Sequence, residues 1–372
     1  MIGALVLLLH LAGEEGASLA SLRPVDFSAG QLPQPLPEPG ESRRETPRPA
    51  PPRPTVYPIF HYPPIEFLEK NYIFNSIPWP GPPGERAPLL FEAWIFPHFF
   101  LYENLGRRLD SGEPGLAFSV PFTFGQQLRM LNARSSPVRM PSYMPRFELQ
   151  AFYVMPPSEQ DRVLRLVLGK RPPFDLFNIS FGLNHLSNGQ EGCRYFDEAG
   201  DCLPRPVSSD TAHLSEKLNR SSADFSVNFL TLEFNWKHGV LDDAGFVARS
   251  MWYGLRFLYA PQHFGPGSAD EEVYSLWGPT RIRGLAEYVQ GSSYGQLNAQ
   301  LGVELIGGTG KNVSPYRLWL EVAWTLREHS GVGIFTRFYS GQDYYNAFFV
   351  DTINILQFGI VIDQAPPLRF GR

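Results

Sequence analysis

From residue 67 to residue 363 the chain switches between apolar and polar positions with a period of two, in one segment after another. Side chains on a β-strand point alternately to opposite faces, so this period predicts strands with one greasy and one hydrophilic face. Leu297, Ala299, Leu301, Val303 and Leu305 oppose Gln296, Asn298, Gln300, Gly302 and Glu304. Tyr316, Leu318, Leu320, Val322, Trp324 and Leu326 oppose Arg317, Glu321, Thr325 and Arg327, with Trp319 and Ala323 as apolar intrusions. Twelve strands are expected. The first six are Phe67–Ile77, Leu89–Leu101, Gly115–Arg129, Pro145–Val154, Phe174–Ser187 and Ala223–Trp236. The others are Phe246–Tyr259, Thr280–Val289, Tyr294–Ile306, Pro315–Glu328, Val332–Phe338 and Thr352–Asp363.

Segments of about ten residues, polar on one side and apolar on the other, are the signature of transmembrane β-barrels. A soluble β-sandwich alternates too. The barrel is favoured because these strands are long and carry Arg, Glu and Gln far along their polar faces, as a hydrated interior allows. Aromatics also gather near strand ends (Trp252, Tyr253, Tyr259; Tyr339, Tyr344, Tyr345), where an interfacial girdle is expected. An even strand count closes the sheet and leaves no unpaired edge in hydrocarbon. The expected fold is therefore all-β, a twelve-stranded antiparallel barrel. Within Ala223–Trp236 the apolar phase slips from Phe225, Val227 and Phe229 to Leu230, Leu232 and Phe234, which predicts a β-bulge.

The 372 residues are 14% aromatic and only 19% charged, with a net charge of -5, so nucleic acid is not an expected partner. Mean hydropathy is -0.19, and no apolar run approaches the roughly 20 residues of a spanning helix. Residues 1–22 contain an apolar stretch, Ala4 to Ala12, followed by small residues, a signal-like pattern that lacks a basic start before Arg23. Residues 23–64 read as a proline-rich disordered linker, with twelve prolines between Gln31 and Pro64. The barrel is expected over 65–364, and 365–372 form a tail. Cys193 and Cys202, nine positions apart, suit a disulfide closing a small loop better than a metal site.

The candidate chemistry sits at the end of the fifth strand. Phe177, Ile179, Phe181 and Leu183 fall on one face, and Asn178, Ser180, Gly182 and Asn184 on the other, so His185 and Ser187 continue the apolar face. A histidine two residues from a serine on a strand points the same way and can take its proton. That pair on a greasy face makes sense if the face looks at lipid and the substrate is lipid. The base needs an orienting acceptor, and Asn219, just before the sixth strand, is a candidate. Taken alone, a strand histidine beside a serine is more often a simple hydrogen-bonded pair. Around Ser187 there is no G-x-S-x-G nucleophile elbow. His98 and His329, near strand ends, read as interfacial or core polar groups.

The stretch Gly182-Leu183-Asn184-His185-Leu186-Ser187-Asn188-Gly189, then Ser215-Glu216-Lys217-Leu218-Asn219-Arg220, resembles the active-site signature of outer membrane phospholipase A. So does the upstream Ser135-Ser136-Pro137-Val138-Arg139. The resemblance spans roughly Phe67 to Asp363 and implies a calcium-dependent serine hydrolase of the bacterial outer membrane that removes acyl chains from phospholipids. It implies Ser187 as nucleophile, His185 as general base, Asn219 as its orienter and the Gly189 N–H as an oxyanion donor. It further implies Ca2+ held by the Gln190 carbonyl and the hydroxyls of Ser135 and Ser215, and a homodimer as the active form. The chain departs from the family in a long insertion between Gly189 and Ser215, which carries both cysteines, and in having Gln190 where the pattern has arginine. A non-catalytic outer-membrane channel and a soluble esterase on a β-sandwich are the competing functions.

Overall fold

The computed structural model describes residues 67–78, 89–131, 138–139, 141–155, 173–189, 224–242, 247–265, 271–292, 294–326 and 331–363. The signal-like segment, the proline-rich linker, the C-terminal tail and both cysteines lie outside the described residues. The strands are β1 (Asn71–Pro78), β2 (Leu89–Ile95), β3 (His98–Glu103), β4 (Gly115–Leu131), β5 (Ser142–Met155) and β6 (Pro173–Ser187). After them come β7 (Ser226–Leu241), β8 (Val247–Tyr259), β9 (Thr280–Gly291), β10 (Gly295–Gly307), β11 (Tyr316–Leu326), β12 (Val332–Gln342) and β13 (Thr352–Ile362). Two short helices, α1 (Leu105–Ser111) and α2 (Glu271–Trp277), sit at opposite rims.

Successive strands pair antiparallel from β4 to β13; β13 pairs with β1, β1 with β2, and β2 with β4, so the sheet closes. β3 also pairs with β4, nearer its start than β2 does, so β2 and β3 are two halves of one stave. Twelve staves result, as the alternation predicts. The expected second strand is interrupted at Phe96-Pro97, because proline has no N–H to give the ladder.

The wall is inside-out relative to a soluble protein. Phe177, Ile179, Phe181 and Leu183 are exposed, as are Leu232, Phe234 and Trp236 on β7, while Asn178, Ser180, Glu233 and Asn235 are buried. Apolar side chains thus face outward all round the barrel, where only hydrocarbon would cover them. The lumen is packed with charge. Glu304 receives Arg281, Arg283 and Arg317 at 2.9, 2.9 and 3.2 Å. Arg129 forms a two-pronged bond with Asp343 at 2.8 and 3.0 Å, and Arg337 donates to Glu321 at 2.8 Å. Such pairs offset most of the cost of taking ions out of water only where their hydrogen bonds are made, and here the Nε of Arg129, Arg281 and Arg317 makes no hydrogen bond among the described residues.

The expected first strand starts later than its pattern. Phe67, in a left-handed conformation (φ 64°), turns the chain into the lumen instead. There the Glu69 carboxylate pairs with Arg146, and Lys70 lies 3.6 Å from Glu287 and 3.4 Å from Asp363. Phe67 packs with Leu105 and Leu109 of α1 and with Phe152, Phe174 and Leu176, plugging the rim that carries Asn71 and Ile362. At the other rim Leu186, Phe225, Val227, Phe229, Val273, Trp277 and Phe349 form a second apolar cluster. Between the plugs lies a cavity of about 300 Å³, lined by Arg283, Gln300, Trp319 and Tyr344 among others.

Two expectations are corrected. Tyr339, Tyr344 and Tyr345 are not an interfacial girdle; they are buried in the lumen, packed with Ile353 and Ile355, and Tyr339 shares the inward phase of β12 with Phe335 and Arg337. Trp252 also points inward, against Phe67, whereas Tyr253 and Tyr259 face out. The phase slip on β7 is not a bulge either: its register with β6 runs unbroken from Ser187↔Ser226 to Pro173↔Val240. Phe225, Val227 and Phe229 are inward members of the rim plug, and Leu230, Leu232 and Phe234 face outward.

Candidate functional site

β6 carries the exterior alternation to its last residue. Leu186 is buried in the plug, and His185 and Ser187 on either side of it are half-exposed on the outer wall, the face of Leu183 and Phe181. Antiparallel pairing sets Asn228 of β7 directly opposite His185, and Ser226 directly opposite Ser187. On the other flank Tyr143 of β5 stands opposite Ser187. All these positions share the outer face because neighbours across a ladder point the same way.

His185 Nδ1 is 2.6 Å from Asn228 Oδ1. An amide oxygen only accepts, so Nδ1 holds the proton and Nε2 is left with its lone pair. The Asn228 Nδ2 in turn donates to the backbone carbonyl of Phe264 at 2.6 Å, in the turn that follows β8. Asn219, the orienter expected from sequence, lies outside the described residues; the acceptor on His185 is Asn228. The slip in β7 hid it. Reading Phe225, Val227 and Phe229 as outward puts Asn228 in the lumen, whereas extending the phase of Trp236, Phe234, Leu232 and Leu230 backwards puts it on the lipid face beside the histidine.

The loop after Ser187 opens with a fixed turn. Asn188 is buried; its N–H bonds the Phe225 carbonyl at 3.1 Å and its Oδ1 accepts from the Phe225 N–H at 3.1 Å. Gly189 then adopts a left-handed φ of 62°, and a side chain there would come 3.3 Å from the Tyr143 ring. A glycine is the residue for such a turn. Its N–H meets no acceptor among the described residues.

Of the upstream block Ser135–Arg139, Val138 and Arg139 are described. Val138 bridges Met130, and the Arg139 N–H bonds the Arg129 carbonyl at 2.7 Å, so the block returns to the end of β4 on the same rim as Ser187. Ser135, Gln190 and Ser215, the expected calcium ligands, lie outside the described residues, as do Cys193 and Cys202. Among the described residues no three His, Cys, Asp or Glu side chains gather as a metal site. His98 is a core polar group: its Nδ1 is 2.7 Å from Thr123 Oγ1 and its Nε2 3.0 Å from the Glu69 carbonyl. The lumenal cavity lies behind the wall from His185 and Ser187.

No protein-family model matches the chain, and no curated protein matches it in sequence. Among solved structures, the fold is similar to outer membrane phospholipase A from Escherichia coli, with a TM-score of 0.46 and 12% identity over 83% of this chain and 93% of that one. The Salmonella typhi outer membrane phospholipase dimer with bound calcium gives a TM-score of 0.45 and 12% identity, covering 79% of this chain and 90% of its own. The translocator domain of the autotransporter NalP from Neisseria meningitidis gives 0.29 and 14%, covering 79% and 86%.

Proposed function

We propose that this chain is an outer-membrane serine hydrolase that cleaves acyl ester bonds of phospholipids and lysophospholipids from the lipid-facing side of its barrel. The observation that carries the reading is a histidine on the outer wall, two residues from a serine on the same face and bonded through Nδ1 to an asparagine across the ladder. The sequence signature around His185 and Ser187 points the same way.

In this reading Ser187 Oγ attacks the ester carbonyl while its proton passes to His185 Nε2. The carbonyl oxygen becomes an oxyanion, held by the Gly189 N–H. Collapse breaks the ester C–O bond; the lysolipid alkoxide leaves with the proton from His185, and the acyl chain stays on Ser187. Water, deprotonated by the same Nε2, then releases the fatty acid and restores the serine. Asn228 holds the imidazole in the productive tautomer without a carboxylate's charge. The acyl chain lies along Leu183 and Phe181, already in the hydrocarbon, so no channel has to admit it.

Calcium enters through the resemblance. Oxygen donors from Ser135, Gln190 and Ser215 suit a hard cation, and once bound it would help stabilise oxyanion charge. A homodimer is part of the same reading. The longer connections, such as Ser187 to Ser226 and Tyr259 to Thr280, start and end at the rim that carries the site, which supports reading it as the extracellular rim. The test is fatty-acid release from mixed phospholipid–detergent micelles. Release should fall about 10⁴-fold in Ser187→Ala and collapse when a chelator removes calcium. Release that survives Ser187→Ala overturns the nucleophile, and release that survives chelation overturns the metal.

A further inference from the structure

We propose that the backbone carbonyl of Phe264 is a positioning group that decides which end of the Asn228 amide His185 meets. The proposal rests on the hydrolase reading above and deepens it. An asparagine side chain is a near-symmetric fork, and a half-turn about its last bond exchanges an acceptor for a donor. With Oδ1 toward His185, the imidazole proton stays on Nδ1 and Nε2 can take the serine proton. With the NH2 toward His185, Nδ1 has to accept, the proton moves to Nε2, and the base is lost. The ladder places Asn228 beside His185 but does not choose between these two states.

Phe264 does choose. A carbonyl oxygen only accepts, so at 2.6 Å it holds the NH2 of Asn228 and would repel Oδ1 placed in the same spot. The fold brings it there by register: Tyr259, the last residue of β8, lies opposite Leu230, two residues from Asn228 on the same outward face. The chain then turns back to the wall through two left-handed residues flanking Phe264, His263 (φ 59°) and Gly265 (φ 74°). The first is unfavourable for a residue with a β-carbon, and the arrangement it produces is a carbonyl aimed at the Asn228 amide. A β-carbon at Gly265 would lie 3.6 Å from Asn228 Nδ2, an ordinary contact, so a substitution there acts by changing the backbone angle and moving the carbonyl, not by collision.

Histidine-15N-labelled protein in detergent micelles reads the effect directly, with His185→Gln identifying the signal. The wild-type ring should show the Nδ1–H tautomer. Gly265→Val, or the milder Gly265→Ala should the first fail to fold, should show a mixture of tautomers and a kcat about tenfold lower at unchanged KM. Asn228→Asp supplies a second reading. An ionised carboxylate presents an acceptor at either end, so with aspartate here the imidazole keeps its Nδ1–H tautomer whichever oxygen faces Phe264. In Asn228→Asp the Nδ1–H tautomer should therefore persist when Gly265→Val is added, whereas with Asn228 present it gives way to a mixture. An unchanged tautomer in both Gly265 variants overturns the proposal, as does a mixture in Asn228→Asp with Gly265→Val as large as that in Gly265→Val alone. Hydrolysis that persists in Ser187→Ala overturns Ser187 as the nucleophile instead, and the tautomer measurement still reports on Phe264.

Discussion

An imidazole Nδ1–H donates a single hydrogen bond, and on this wall the Asn228 Oδ1 accepts it. Removing that acceptor frees the ring to rotate and to change tautomer, but leaves its chemistry intact. Asn228→Ala is therefore expected to lower kcat by roughly 10- to 100-fold with KM within about twofold, a smaller loss than Ser187→Ala. Asn219→Ala should leave hydrolysis within about twofold of wild type. Steady-state kinetics on micellar phospholipid compare the three variants, and an Asn219 effect as large as that of Asn228 would return the orienting role to Asn219. The serine and histidine were legible in the sequence because they continue a clean apolar phase. Asn228 was not, because three apolar residues around it belong to the lumenal plug and invert the apparent phase of β7. Phe264 acts through its backbone, so no side-chain pattern could announce it.

At the scale of elements, β9, β10 and β11 are tied across the lumen by one carboxylate. Glu304 is 2% exposed and is shared by three guanidinium groups. Glu304→Gln strands positive charge in a nearly dry site and should destabilise the barrel by about 3–5 kcal/mol. The readout is the temperature at which the folded band in detergent gel electrophoresis converts to the unfolded one. The segment Phe67–Lys70 makes a second prediction. Burial by itself would raise the Glu69 carboxyl, but Arg146 and Arg256 outweigh it and hold it below the usual carboxylate range. A lowered folded-state value means that the ionised form favours the fold; its contribution is complete at neutral pH and is lost as pH falls from about 4.5. Glu69→Gln should thus be less stable than wild type at pH 7, and the gap should close in acid. A gap that widens in acid would reverse the sign.

At the scale of the molecule, the barrel encloses charge and polar groups, and among the described residues an apolar cluster stands at each rim. Phe67, Leu105 and Leu109 fill one rim, Trp277 and Phe349 the other, and the ion pairs of Glu304, Glu321 and Asp343 span the space between. A non-catalytic channel needs a continuous aqueous lumen. Planar-bilayer recordings of the purified protein should accordingly show no porin-like conductance steps, and regular large steps would revive the channel reading. A soluble β-sandwich is excluded by closure of the sheet and by the aliphatic and aromatic exterior.

The sequence by itself determined the strand content, the number of staves and the outward facing of His185 and Ser187, because all three follow from a side-chain period of two and need only local information. It also gave the polar lumen, through Arg, Glu and Gln at the alternate positions. Only the tertiary structure decided the rest. The inward turn of Phe67–Lys70, the burial of Tyr339, Tyr344 and Tyr345, and the pairing of Asn228 with His185 are set by cross-strand register and by what fills the rims. Those are contacts between residues far apart in the chain, and a period of two is the same for a residue that faces a plug and for one that faces lipid.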